Sequence, residues 1–162
     1  MLPILDGLAP ILNEYVRTLV LGSFPSPASL MTQHYYGHQQ NQFWRIMGAV
    51  LGESLIDMDY GSKQRCLLLH RVGVWDVFRC CRREGALDSA IQAAKINDFC
   101  RLETLAPELR RVCFNGKVAG KSERWFVERG YETHILPSTS PAYTLSIERK
   151  IQAWKTVWDC PA

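Results

Sequence analysis

Four short apolar runs alternate along the chain with stretches in which apolar residues recur at helical spacing. The apolar runs, which are rich in β-branched residues, are 15–21, 72–78, 111–114 and 133–136. The helical stretches are 43–51, 98–105, 118–129 and 147–158. Strands separated by helices indicate right-handed crossovers and a mostly parallel sheet. The pattern therefore predicts an α/β fold in three layers, α/β/α, with a central sheet of four strands. We expect one domain over residues 1–162.

The carboxyl ends of the predicted strands indicate where a ligand would bind, because open parallel sheets bind ligands in the loops at that edge. Those loops begin at Gly22, Asp76, Asn115 and Leu136. The first loop belongs to a stretch, 18–44, that contains no Asp, Glu, Lys or Arg. Such a neutral, polar stretch fits the lining of a pocket for an uncharged ligand and fits a buried loop equally well.

Composition narrows the class of protein without identifying it. With 47% hydrophobic and 22% charged residues, the chain is that of an ordinary globular protein and not of a disordered one. Residues 1–60 carry a net charge of −3 and residues 61–162 a net charge of +6. Two basic clusters contribute to the excess of positive charge in residues 61–162. Each is either an ordinary solvated surface or a surface that binds phosphates. The clusters are Arg79, Arg82 and Arg83, and Lys117, Lys121 and Arg124.

Metal and targeting signals are weak. None of the six cysteines forms a Cys-x-x-Cys pair, and Gly37 between His34 and His38 argues against a helical zinc site. We therefore expect no metal and no cofactor.

The N-terminus lacks the basic and apolar segments of a signal peptide, and no apolar run is long enough to span a bilayer. We expect a cytoplasmic protein that does not bind membranes, and a monomer.

Three loop segments carry candidate chemistry, and each also has a purely structural interpretation. GSFPSPASL, from Gly22, is neither a dinucleotide fingerprint nor a Walker loop, and by itself it could be a stiff turn. In YYGHQQNQFW, Asn41 precedes a helix, where asparagine commonly serves as an N-cap. LPSTSPAY, from Leu136, is either a turn before the last helix or a small polar loop that enters a DNA minor groove.

Taken together and in order, these segments resemble the motifs of the uracil-DNA glycosylase superfamily. GSFPSPASL is similar to its motif 1, LPSTSPA to its motif 2, and NQFW to the Asn-x-Phe-Trp segment of the mismatch-specific branch. GVWDVF, RREGALDSAI and FNGKVAG resemble most closely the hypoxanthine-DNA glycosylase branch, also called DNA-deoxyinosine glycosylase. Two positions depart from the common patterns, since Phe24 replaces the motif 1 Asn and Leu136 replaces the motif 2 His.

The resemblance implies a monofunctional glycosylase that flips a deaminated base out of double-stranded DNA and hydrolyses its glycosidic bond. The catalytic Asn of the branch corresponds to Asn41, which then orients a water or bonds the departing base. The resemblance assigns the remaining site residues to two groups. Ser23, Phe24, Tyr36 and Asp76 would bind the base, and Ser138, Thr139, Ser140 and Pro141 would bind DNA.

Hypoxanthine is the expected base, with uracil or mismatched thymine as alternatives. Functions of other classes stay open at this point. One is a DNA-binding module without catalysis, and another is a small-molecule hydrolase on a flavodoxin-like sheet. The hydrolase would need a nucleophile elbow or a phosphate loop, and the sequence contains neither.

Overall fold

The structure is a computed structural model that describes residues 1–162 and contains seven strands and seven α-helices. The strands are β1 (Leu5–Asp6), β2 (Thr18–Gly22), β3 (Val72–Asp76), β4 (Phe78–Arg82), β5 (Gln92–Ile96), β6 (Arg111–Asn115) and β7 (Glu132–Leu136). The helices are α1 (Pro27–Thr32), α2 (Phe43–Leu51), α3 (Tyr60–Leu69), α4 (Leu102–Leu105), α5 (Lys117–Gly120), α6 (Glu123–Val127) and α7 (Ile147–Trp158).

The central sheet has four parallel strands in the order β3-β2-β6-β7, which confirms the predicted fold class. β2, β3 and β6 are buried along their whole length, as expected of strands covered on both faces. Side chains alternate between the two faces. Val20 joins the core under α2, α3 and α7, whereas Leu19 and Leu21 join the core under α4, α5 and α6.

Three predicted elements differ from the observed ones. The run 72–78 is not one strand, because β3 ends at Asp76 and the backbone N–H groups of Val77 and Phe78 bond the carbonyls of Gly22 and Ser23. This turn sends the chain into a second sheet. The predicted helix 118–129 is divided into α5 and α6, and the predicted helix 98–105 is a 3-10 turn followed by α4.

A small antiparallel sheet, in the order β1-β4-β5, has no counterpart among the predicted elements. β1 has only two residues and β5 is exposed throughout, so neither shows a hydrophobic pattern. The sheet holds the segment 83–91, which leaves β4 and bends over the carboxyl edge of the central sheet. No helix is both long enough and apolar enough to cross a membrane.

Candidate active site

A cavity of about 520 Å³ opens at the carboxyl edge of the central sheet. Its volume lies within the range of about 300–1,000 Å³ typical of sites for small ligands. All four strand-end loops predicted to form the site contribute to its walls, together with segment 83–91. Every residue proposed for the site on sequence grounds lines it, namely Ser23, Phe24, Tyr36, Asn41, Asp76, Ser138, Thr139, Ser140 and Pro141.

The Asn41 carboxamide is held in one orientation. Its Oδ1 accepts a hydrogen bond from the Phe43 N–H and another from the Thr139 hydroxyl, both at 2.9 Å. A backbone N–H can only donate, so the oxygen and nitrogen of this amide cannot be exchanged. Asn41 thus bonds the first residue of α2 from the position before the N-cap, Gln42, while its Nδ2 hydrogens stay free at the cavity. The structural and the catalytic interpretations of this residue are compatible.

Asn115, at the end of β6, supports this arrangement; it begins one of the strand-end loops expected to form the site, but no role was assigned to it there. Its Nδ2 donates to the Thr139 hydroxyl at 2.9 Å, and its Oδ1 accepts the Thr139 N–H at 2.9 Å. Because the Thr139 oxygen accepts from Asn115, its single proton goes to Asn41. Thr139 is only 1% exposed. Its hydroxyl thus positions Asn41 and is not available to bind DNA, contrary to the role expected from the sequence.

Tyr36 forms an aromatic wall of the cavity. Its ring stacks on Phe43 with centroids 4.0 Å apart, and its hydroxyl accepts from Asn115 Nδ2 at 3.1 Å. The backbone of Tyr36 is in the left-handed region, with φ 53°. A bulky residue rarely adopts this conformation, and such strain is concentrated at functional sites.

The loop after β2 lines the cavity with Ser23 and Phe24 and carries hydrogen-bond donors that have no partner. The backbone N–H groups of Ser23 and Phe24 bond no protein acceptor. The Ser23 hydroxyl donates to the Asp88 carboxylate at 2.6 Å, which ties this loop to the wall formed by segment 83–91. Behind the loop, Arg83 donates to the Pro25 carbonyl and lies 5.3 Å from the Phe24 ring.

Asp76 is the buried acidic group of the site. It is 4% exposed, and its Oδ2 has no hydrogen-bond partner. Burial raises the pKa of this carboxyl to about 7, repulsion from Asp88 adds to the shift, and Arg83 opposes it. Gly22 makes room for the carboxyl, because a Cβ there would lie 2.6 Å from Asp76 Oδ1 and 2.9 Å from the Tyr36 hydroxyl.

The last helix anchors the loop after β7. Lys150 is fully buried on α7 and donates to Gln42 Oε1 at 2.8 Å and to the Ser140 carbonyl at 3.1 Å. Trp154 Nε1 donates to the Pro137 carbonyl at 2.9 Å. Two residues of α7 thus fix the ends of the segment that carries Thr139.

The two basic clusters differ in their access to solvent. Lys117, Lys121 and Arg124 are exposed, so the second cluster can meet phosphates. The first cluster, Arg79, Arg82 and Arg83, is less accessible to phosphates than its sequence suggests. Arg83 is only 5% exposed, and the Arg82 guanidinium bonds the Leu2 carbonyl.

One group of side chains could hold a metal ion, and it lies away from the cavity. The ligand atoms of Glu53, Cys66 and His70 are within 4.8 Å of one another. None of the three lines the cavity, and the His70 ring already pairs with Glu53 at 2.9 Å. The cavity itself is lined by amide, hydroxyl, aromatic and carboxyl groups and by the His38 imidazole.

Comparisons with known proteins agree on one family. A profile described as the Uracil DNA glycosylase superfamily matches residues 9–159. The chain is 43% identical over 152 residues to a protein named Hypoxanthine DNA glycosylase from Methanosarcina acetivorans, a match that covers 94% of this chain and 96% of that protein. A protein of the same name from Methanosarcina barkeri is 39% identical over 149 residues, which cover 92% of this chain and 94% of the relative. The solution NMR structure of a candidate uracil DNA glycosylase from Methanosarcina acetivorans superimposes with a TM-score of 0.88 at 42% identity, and it covers 96% of this chain and 97% of its own.

Proposed function

Because the chain belongs to the uracil-DNA glycosylase superfamily, we propose that it is a monofunctional DNA glycosylase that releases a deaminated base, with hypoxanthine preferred, as a step of base-excision repair. The observation that carries this proposal is the Asn41 amide, whose oxygen is fixed by Phe43 and Thr139 so that its two N–H bonds stay free at the cavity. Cleaving a glycosidic bond requires little covalent chemistry. The protein must extrude the nucleotide, stabilise the departing base and place a water.

Asn41 acts as a hydrogen-bond donor in this reaction, because its oxygen is already occupied. Its Nδ2 stabilises the negative charge that develops on the leaving base or holds the attacking water by its oxygen. It does not take a proton from that water. No lysine lines the cavity, which agrees with simple hydrolysis without a Schiff base or strand cleavage.

The cavity walls suit a flat, neutral base. The Tyr36 ring provides a stacking surface, and stacking of a base on an aromatic ring contributes ~1–3 kcal/mol. The free N–H groups of Ser23 and Phe24 donate to the carbonyl that deamination creates. Adenine presents an amino group at that position, so these donors would be left unpaired at a loss of ~1–3 kcal/mol for each buried group. Asp76 lies beside Gly22 and Tyr36 and contacts the same base.

The loop after β7 contacts the DNA strand through residues other than Thr139. The Ser138 and Ser140 oxygens accept backbone N–H bonds within the loop, so both hydroxyl protons can be donated to phosphates. Pro141 is exposed at the cavity rim and meets the sugar or the groove. The partner is double-stranded DNA that contains a deaminated or mismatched base.

The decisive experiment incubates the purified protein with duplexes that each carry one hypoxanthine, uracil, xanthine or mismatched thymine. We expect free hypoxanthine and an abasic site that is cut only after alkali, with hypoxanthine released faster than uracil. Asn41→Ala should reduce release by about 100-fold or more and should cost only ~1 kcal/mol of stability through the lost bond to the Phe43 N–H. The exposed neighbour Gln39, which does not line the cavity, provides the matched control Gln39→Ala.

Other outcomes would point to the alternatives. Salt-sensitive DNA binding without release of any base would identify a non-catalytic binding module. Uracil released markedly faster than hypoxanthine would leave the glycosylase activity standing and overturn the preferred base. An Asn41→Ala protein that only melts earlier, with normal base release, would return Asn41 to a structural role.

A further inference from the structure

The Asp76 carboxyl lacks the partners that a buried carboxylate normally has. Its Oδ2 is shut off from water and receives no hydrogen bond, although the residue lines the cavity. A charged carboxylate in such a place would be strongly destabilised, as unpaired buried charges are. A neutral carboxylic acid has one proton to donate, and the other oxygen, Oδ1, which is not closed off in this way and bonds no protein group, can pass it to a ligand in the cavity.

The groups that face Asp76 have opposing effects on its charge. Asp88 faces it from segment 83–91 and disfavours ionisation, whereas Arg83 from the same segment favours it. Tyr35 and Tyr36 face it from the loop before α2, and both phenols have a pKa raised above the usual value by burial and by Asp76 itself. Burial is the largest influence on Asp76, so a large fraction of the carboxyl is protonated near neutral pH.

We propose that Asp76 is the general acid of the reaction and gives its proton to N7 of the departing hypoxanthine. This inference rests on the proposed function. An ionised carboxylate beside the cavity would repel a base that leaves as an anion, whereas a neutral acid stabilises it. Asp88, the other carboxyl of the cavity, is exposed and already accepts the Ser23 hydroxyl. In this role Asp76 meets the imidazole edge of the purine.

The step balances without a further reactant. The C1′–N9 bond breaks and its electron pair stays on N9, while the proton of Asp76 moves to N7, so the base leaves as neutral hypoxanthine. Water adds to C1′ of the resulting oxocarbenium ion and loses one proton. That proton returns to the Asp76 carboxylate, directly or through solvent. Uracil has no N7, so an acid at this position favours release of a purine over release of a pyrimidine. Hydrogen bonds to the carbonyl cannot make this distinction, because hypoxanthine and uracil both carry that carbonyl.

Single-turnover release of hypoxanthine, measured against pH with enzyme in excess, tests the proposal. For the wild-type protein we expect a rate that falls about tenfold per pH unit above about pH 7, where the acid is lost. Asp76→Asn should be about 100-fold slower or more below that pH and should lack the decline. It should still bind the deoxyinosine duplex. Asp57→Asn, an exposed carboxylate outside the cavity, is the matched control and should behave as wild type.

Two further measurements do not depend on the Asp76 variant. Asp88→Asn removes the neighbouring negative charge and keeps an acceptor for Ser23, so the decline should move to lower pH. A duplex with 7-deaza-2′-deoxyinosine offers no N7, and the wild-type protein should release its base at least about 100-fold more slowly than hypoxanthine. Asp76→Asn with near wild-type release and an unchanged pH profile would overturn the acid. So would rapid release of the 7-deaza base. A wild-type protein that releases no hypoxanthine at all would instead refute the proposed function.

Discussion

The contribution of the Asp76 carboxyl to stability should fall as the pH rises toward neutral, because this group ionises more readily in the unfolded chain than in the folded protein. Folding raises its pKa from the usual 3.8 to about 7. A group with a raised folded-state pKa contributes stability that is fully present below the unfolded pKa and is lost as the pH rises through the folded one. The shift corresponds to about 4 kcal/mol in total, most of it lost between about pH 4 and about pH 7.

Asp76→Asn isolates this contribution, because asparagine has nearly the same shape and does not titrate. The buried amide will carry its own cost for unpaired N–H groups, ~1–3 kcal/mol, but that cost does not change with pH. The difference in unfolding free energy between wild type and variant should therefore shift by about 3 kcal/mol between about pH 5 and about pH 8, in favour of the variant.

Urea unfolding at a series of pH values, followed by tryptophan fluorescence, measures this difference. Other titrating groups are common to both proteins and cancel, provided that the two m-values agree. Stability curves that run parallel for the two proteins from about pH 5 to about pH 8 would refute the argument. They would mean that Asp76 ionises in the folded protein as easily as in water.

Four other predictions concern the cavity and its surroundings. Gly22→Ala should lower stability by ~1–3 kcal/mol and suppress base release, since its Cβ would lie 2.6 Å from a cavity carboxyl oxygen; thermal unfolding and the duplex assay measure both effects. Thr139→Val should slow base release by about tenfold or more through loss of the bond to Asn41, while Thr139→Ser keeps it; equal rates for the two variants would contradict the positioning role. DNA affinity should drop steeply with salt, as phosphate contacts release counterions, whereas EDTA should leave base release unchanged because the potential ligand cluster around His70 lies outside the cavity.

The central sheet could be predicted because its strands are buried on both faces. Such strands appear in the sequence as continuous apolar runs, and the polar residues just after them mark the carboxyl edge. The antiparallel sheet could not be predicted in this way. β5 is exposed at every position, so its sequence has no pattern of buried residues. It is held in place by hydrogen-bonded pairing with β4, and this pairing cannot be recognised from the residues of β5 alone.

The chemistry of the site was only partly visible in the sequence. Asn41 and Asp76 could be identified from motifs and strand ends, but the orientation of the Asn41 amide depends on Thr139, 98 positions away. Asn115 could be placed at the start of a strand-end loop, but its bonds to Tyr36 and Thr139, 79 and 24 positions away, depend on the fold. Arg83 sits among other arginines, which suggested a surface, and its burial follows from the fold of the β4 segment against Phe24.

The two anchors on α7 make the competence of the site depend on the last helix of the chain. Lys150 and Trp154 hold the loop that bears Thr139, and Lys150 also holds Gln42 at the start of α2. Each local opening of α7 releases the same loop, so hydrogen exchange in this helix reports how often the enzyme passes through an inactive state.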